Sequence, residues 1–171
     1  MRKRPSGTGS SSPGPAPDMV AGFGAPVAEG APDETAEWLE ADGLGGFASG
    51  MANGLRTRRY HALLLTATCP PAGRVVLVNG VEAWVETPAG RFPLTTQRYA
   101  PDLLHPDGWR RITGFARRPW PCWTFALPDG TVLAQEILVE RNACETVLRW
   151  RRTGGSGPCR LSVRPLLSGR D

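Results

Sequence analysis

An all-β fold, an antiparallel β-sandwich behind a disordered N-terminal tail, is predicted by three features of the sequence. Turn signals recur along the chain at Asn79-Gly80, Pro88-Ala89-Gly90, Pro128-Asp129-Gly130 and Gly154-Gly155-Ser156-Gly157. The segments between them alternate apolar and polar side chains, as in residues 131–141, where Leu133, Ile137 and Val139 share one face and Glu136 and Glu140 the other. No stretch carries a helical apolar period, and no internal repeat is present.

The tail spans residues 1–35, rich in Pro, Gly, Ser and Ala and without a hydrophobic period. Such a segment cannot bury enough apolar surface to offset the entropy of ordering, so disorder is expected. The basic start at Arg2, Lys3 and Arg4 is not followed by the apolar run of a signal peptide. No segment approaches the roughly 18 continuous apolar residues of a membrane span. A cytoplasmic location without membrane association is the expectation.

Residues 37–65 combine unusual backbone demands with clustered polar chemistry. Gly43, Gly45, Gly46 and Gly50 fall close together, which permits positive φ and close backbone approach, and Asn53-Gly54 adds a tight turn. Arg56, Arg58, Arg59, Tyr60 and His61 follow. Read as an extended chain, this segment sets Arg59 and His61 on one face and Arg58 and Tyr60 on the other. Gly43 to Ala48 formally fits a dinucleotide-binding fingerprint, but no preceding βαβ strand, no helix opening at the last glycine and no acidic residue about 20 positions on accompany it.

Strands are then expected over residues 59–66, 74–78 and 81–87, the last two joined as a hairpin by Asn79-Gly80. Residues 91–99 are expected to be extended, 101–108 a loop and 110–116 a strand. Residues 120–127 and 131–141 flank a turn at Pro128-Asp129-Gly130. Residues 145–152 alternate Leu148 and Trp150 with Arg149 and Arg151, and residues 160–167 place Leu161, Val163 and Leu167 together. Residues 36–171 suffice for one core that buries roughly two thirds of the unfolded chain's surface.

The net charge of +4 is modest, and Lys3 is the only lysine. Arginine suits planar bidentate partners and packing on aromatics. The doublets Arg110-Arg111 and Arg117-Arg118 and the group at 149–152 are dispersed among aromatics, which reads as solvated strand faces and excludes a basic nucleic-acid stripe. The four cysteines, Cys69, Cys122, Cys144 and Cys159, lie far apart with no C-x-x-C pair. Reduced thiols and no zinc site are expected.

Candidate chemistry centres on the same glycine and arginine segment. Trp38 and Phe47 either offer an apolar face to a sugar ring or belong to the core. Gly45 and Gly46 allow close approach of backbone. Arg58 and Arg59 either pair with Glu37 or Glu40 or donate hydrogen bonds to the hydroxyls of a ligand. His61 has no nucleophile or metal partner beside it, so a hydrogen-bonded structural role competes with a functional one. Glycoside hydrolysis needs two carboxyl groups roughly 5 to 10 Å apart, and nothing marks such a pair; Glu37, Glu40 and Asp42 read as surface and turn polarity. Trp120, Trp123 and Trp150 are assigned to the core or an inter-domain face.

The ordered motifs EWLEADGLGGFASG, RTRRYHALLL, PPAGRVVLVNGVE and RPLLSGRD together resemble the N-terminal domain of the bacterial and archaeal type of glycogen debranching enzyme, the amylo-α-1,6-glucosidase group of glycoside hydrolases. The resemblance covers residues 36–171. It departs from the family pattern at Ala62, where glycine is usual after the Tyr-His pair, and at Asp42, where asparagine is usual. It implies a supersandwich-like domain that is non-catalytic and shapes the glucan site of a helical (α/α)-barrel, which carries the acid and base and is absent from this chain. Family proteins continue past the Arg-Asp pair at which this chain stops, so an incomplete domain is expected. The implied partners are an α-glucan, such as glycogen or a limit dextrin, and the barrel domain; no cofactor or metal is implied. A free-standing carbohydrate-binding or interaction module is the competing reading.

Overall fold

A computed structural model describes residues 35–170; apart from Thr35, the tail expected to be disordered lies outside them. In chain order the elements are β1 (Glu37–Ala41), β2 (Phe47–Met51), β3 (Ala62–Cys69), β4 (Ala72–Thr87), β5 (Gly90–Pro93), β6 (Gln97–Tyr99) and β7 (Leu103–His105). A short 3-10 turn (Gly108–Arg111) precedes β8 (Ile112–Ala116), β9 (Cys122–Ala126), β10 (Val132–Val139), β11 (Thr146–Gly154) and β12 (Arg160–Arg170). Every strand pairing is antiparallel. One sheet runs β1-β2-β3-β4-β12 with β5 also on β4, a second runs β11-β10-β9-β8, and β6-β7 form a small ribbon. The all-β antiparallel sandwich read from the sequence is the observed architecture.

The long strand β4 organises the first sheet. Its first half pairs with β3 and its last residues with β5, while β12 runs along the opposite edge. The hairpin expected at Asn79-Gly80 is therefore corrected: β4 passes straight through it. A two-residue hairpin of the favoured type needs positive φ at both central residues, and neither Asn79 nor Gly80 has it. Pairing with β12, in which Gly80 faces Leu166, holds the strand extended there, and the irregularity is absorbed as register shifts at Leu64/Leu65 and Leu166/Leu167. The turn into β4 lies instead at Pro70-Pro71, across which Cys69 pairs with Ala72.

Two further strands, β1 and β2, occupy the segment read only as a glycine turn, and that turn is the connection between them. β7 lies within the expected loop at 101–108. Residues 59–61, expected as the start of a strand, form a turn closed by the His61 N–H donating to the Arg58 carbonyl (3.1 Å).

The two sheets meet over Trp38 and Ala48 from the first two strands, Ala83 and Val85 from β4, Phe115, Trp123 and Phe125 from β8 and β9, and Leu133 and Ile137 from β10. Trp123 stands edge-on to Trp38, with centroids 5.5 Å apart, and its indole N–H donates to the Ala52 carbonyl (2.6 Å). That bond satisfies the one polar atom of a buried indole. A separate small cluster of Ala62, Leu65 and Val76, with Phe47 packed on it, fills the end of the first sheet near the glycine turn.

The outer face of β10 corrects a second expectation. Glu136, read as solvent-facing, is fully buried. Its cross-strand partner on β11 is Arg149, whose Nε and Nη2 donate to the two carboxylate oxygens (2.6 and 2.9 Å), and the Trp120 indole N–H adds a third bond (3.2 Å). Alternation identified the face correctly, but not that a neighbouring guanidinium and an indole from the β8–β9 connection would cover it. Glu140 is exposed, as expected.

On β12 the opposite deviation occurs. Leu161 and Val163 pair with Val85 and Ala83, both buried, so by cross-strand geometry they share the core-facing side. They are nevertheless 38% and 41% exposed, and Leu167 is 74% exposed. The second sheet stops short of this edge strand.

Candidate functional site

The loop from Ala52 to His61 turns twice before β3. Asn53 Oδ1 accepts from the Leu55 N–H (3.1 Å) and the Met51 N–H donates to the Leu55 carbonyl (3.1 Å), closing the first turn. The second, at 58–61, is pinned to β2 by Ser49 Oγ donating to the Tyr60 carbonyl (3.1 Å). Because the segment turns, Arg58, Arg59 and His61 do not alternate across two faces. All three line one open cleft of about 440 Å³.

Four more polar side chains join them: Arg56 from the same loop, Asn79 from β4, and Gln97 and Arg98 from β6. Leu166 and Ser168 of β12 close the far wall. Arg56 Nη2 donates to Gln97 Oε1 (2.5 Å). Its guanidinium also rests on Gly80, where a Cβ would come 2.9 Å from Nη1. The glycine that looked like a hairpin residue is thus a seat for an arginine. Arg58 Nε donates to Glu37 Oε1 (2.6 Å), and Arg98 Nε donates to Asp102 Oδ1 (2.8 Å). Neither carboxylate lines the cleft. Arg56, Asn79 and Gln97 also line a cavity of about 80 Å³ between the sheets, together with Trp38, Trp123 and Gln135.

His61 is buried, and its Nδ1 accepts from the backbone N–H groups of Thr57 (3.1 Å) and Arg58 (3.3 Å). Two donors on Nδ1 place the ring proton on Nε2, so the ring is neutral and presents an N–H as its remaining hydrogen-bonding group. Burial pushes its pKa below the usual histidine value; the Glu37 charge opposes this shift and the Arg58 charge reinforces it. A histidine held this way organises the turn and offers a donor, but has no free lone pair with which to take a proton.

The other sequence candidates lie elsewhere. Trp38 is 7% exposed and packs on Trp123 in the core. Phe47 lies against the Ala62-Leu65-Val76 cluster. Gly45 and Gly46 sit at the opposite end of β2 from His61, beside the β3–β4 connection. Gly45 has φ +103°, a Cβ there would come 2.7 Å from the Pro71 carbonyl oxygen, and its own carbonyl accepts from Arg74 Nε (3.0 Å). The N–H groups of Leu44 and Gly46 donate to Asp42 Oδ1 (2.7 and 2.9 Å), so Asp42 caps the glycine turn from a buried position. The structure therefore brings Arg58, Arg59 and His61 together and leaves the glycine turn apart from them. Sequence reasoning missed Asn79, Gln97 and Arg98, which reach the cleft from strands distant in sequence; only Arg56, in the same RTRR run, carried a local signal.

Of the carboxylates weighed for catalysis, Glu37 is committed to Arg58 and Asp42 to backbone amides, while burial raises the pKa of Glu40. The four cysteines are free thiols, and burial pushes that of Cys122 up to about 11. Among the described residues no helix is long and apolar enough to cross a membrane.

Comparison with known proteins gives a family. The family model described as glycogen debranching enzyme N terminal matches residues 36–171, the span in which all these elements lie. No curated protein and no solved structure gives a significant match. The chain belongs to the glycogen debranching enzyme N-terminal family.

Proposed function

We propose that this chain is a non-catalytic β-sandwich domain of a glycogen-debranching, amylo-α-1,6-glucosidase type glycoside hydrolase. In this reading it forms a wall of the α-glucan site of a helical catalytic barrel that supplies the acid and base. The observation that carries it is the family match over residues 36–171. Three features of the molecule support it. Two of the carboxylates weighed for catalysis, Glu37 and Asp42, are engaged in structural bonds. Arg58, Arg59 and His61 gather donors at one surface. The apolar core-facing side of β12 is exposed, a surface that a packed partner domain would cover. A cytoplasmic setting fits the free thiols.

The test is release of glucose from a branched limit dextrin. The purified 171-residue chain is expected to give no turnover alone and to raise the activity of a matching helical domain added in trans. Turnover by the chain alone, lost on replacing Glu37, Glu40 or Asp42 by the corresponding amide, would place the chemistry in this domain and overturn the reading.

A further inference from the structure

The geometry points to a second cleft, on the outer face of the first sheet, as a saccharide site that takes a segment of linear α-glucan. It has a volume of about 470 Å³, within the range of small-molecule sites. Trp84 of β4, Arg91 of β5, and Tyr99 and His105 of the β6-β7 ribbon line it, with the cross-strand pair of Glu82 and Arg164. Trp84 stands between Ala83 and Val85, which are buried in the core, so alternation turns its indole to the outer face. On the ribbon, Tyr99 stands opposite Leu103 and His105 opposite Gln97, which puts both rings on the same face. Rings from three strands therefore converge outside the core, and Tyr99 is 49% exposed.

Both arginines have partners and keep them in this reading. Arg164 donates to Glu82, and the Arg91 guanidinium lies over the Trp84 ring, 4.1 Å from its centroid. A guanidinium stacked on a ring is fixed in orientation and carries its N–H groups at the edge of its plane. A carboxylate that accepts from one arginine keeps further lone pairs, and the Tyr99 hydroxyl both donates and accepts. That mixture separates ligand classes. A pyranose has apolar C–H faces that pack on aromatic rings and a rim of hydroxyls, each a donor and an acceptor. An anionic ligand would be opposed by Glu82. A proline-rich peptide suits aromatic grooves but brings few donors for the carboxylate. Along β12, Arg164 lines this cleft while Leu166 and Ser168 line the arginine cleft; along β6, Tyr99 lines this one and Gln97 and Arg98 the other. Two residues along a strand span about 7 Å, so the clefts adjoin. That the saccharide is an α-glucan rests on the function proposed above; the saccharide site itself does not.

The experiment is calorimetric titration of the 171-residue chain with maltoheptaose, cellohexaose and a peptide of this chain's residues 10–18, which hold Pro13, Pro15 and Pro17, each to about 10 mM, a range that captures millimolar binding. Maltoheptaose is expected to bind, and to weaken about fivefold in Tyr99→Ala, while Tyr99→Phe, which keeps the ring, retains most of the affinity. His105→Ala serves as a second variant at an exposed position, with a loss of affinity expected there too. Urea midpoints near wild type for these variants separate lost binding from lost folding. Cellohexaose binding with the same dependence on Tyr99, and maltoheptaose not binding, would leave the saccharide site standing and overturn its α-glucan assignment. Maltoheptaose binding that neither Tyr99→Ala nor His105→Ala alters would place the sugar elsewhere, overturning this site while leaving the proposed function intact. Tighter binding of the peptide, sensitive to Tyr99→Ala, would make the cleft a proline-peptide groove, and no saturable binding of either oligosaccharide would overturn the saccharide site outright.

Discussion

His61 shows how a side chain can be central to a site without being a reagent. Its Nδ1 ties two backbone N–H groups into the turn that presents Arg58 and Arg59, and protonation would put a donor where those bonds need an acceptor. The folded-state pKa lies below the ordinary value, so between the two the unfolded chain binds the additional proton and stability rises with pH. The contribution is complete above about pH 6.5, the unfolded value, and is lost as pH falls through the lower folded value. Urea titrations of the wild type and of His61→Asn at pH 7 and pH 5 are expected to show a gap that narrows at the lower pH; a constant gap would mean that the ring's protonation is not coupled to folding. The sequence carried the identity of Arg58, Arg59 and His61 as candidates because they are polar and lie within four residues of one another. It did not carry their orientation, since an extended reading splits them across two faces and only the 58–61 turn reunites them. Trp38, weighed as a sugar platform against the commoner core role, belongs to the core because Trp123 arrives from a strand far along the chain.

Across pairs of strands, local pattern specified elements well and their neighbours poorly. Alternation found β10 and β11, yet the burial of Glu136 depends on Arg149 standing opposite in register and on Trp120 folding over both. The Arg149 bond, the largest influence, holds Glu136 below the ordinary carboxylate range against the opposing effect of burial. Removing the guanidinium leaves a buried charge with a single indole donor, so Arg149→Leu is expected to cost about 3 kcal/mol at pH 7, within the range for breaking a buried pair. The folded pKa is depressed, so this stabilisation is present above the unfolded value of about 4.5 and fades as pH falls through the folded one. Chemical denaturation at pH 7 and at pH 3 is the check, with the wild-type advantage expected to shrink at pH 3. The Asn79-Gly80 pair fails as a hairpin signal for a related reason: turn propensity is local, while pairing with β12 at Gly80 and with β3 up to Val78 holds β4 extended. Gly80→Val should therefore leave the strand intact and act on Arg56, displacing its guanidinium from Gln97; the expected result is a urea midpoint close to wild type with a shifted Arg56 side-chain NMR resonance.

Over the whole fold, the sandwich was readable from turn spacing and alternation, but which strand would end a sheet was not, because edge position is decided by topology. The grouping of Leu161, Val163 and Leu167 predicted a core-facing side for β12, and register confirms the side for the first two through Val85 and Ala83. Nothing in the alternation distinguishes a covered strand from an uncovered one, and these side chains stay exposed. Their contribution to the chain's own stability should be small, since substitutions at exposed sites are usually within about 0.5 kcal/mol. Under the proposed function they are buried against the helical domain, where each lost apolar contact costs more and the cluster acts as the centre of an interface. The triple replacement Leu161→Thr, Val163→Thr and Leu167→Thr keeps β-propensity while removing apolar surface. Its urea midpoint should stay close to wild type, while its affinity for the catalytic domain in trans should fall at least tenfold, about 1.4 kcal/mol. A large loss of midpoint would show that the three residues belong to this chain's own core. Unchanged affinity would show that the partner domain, if it docks, does so on another face.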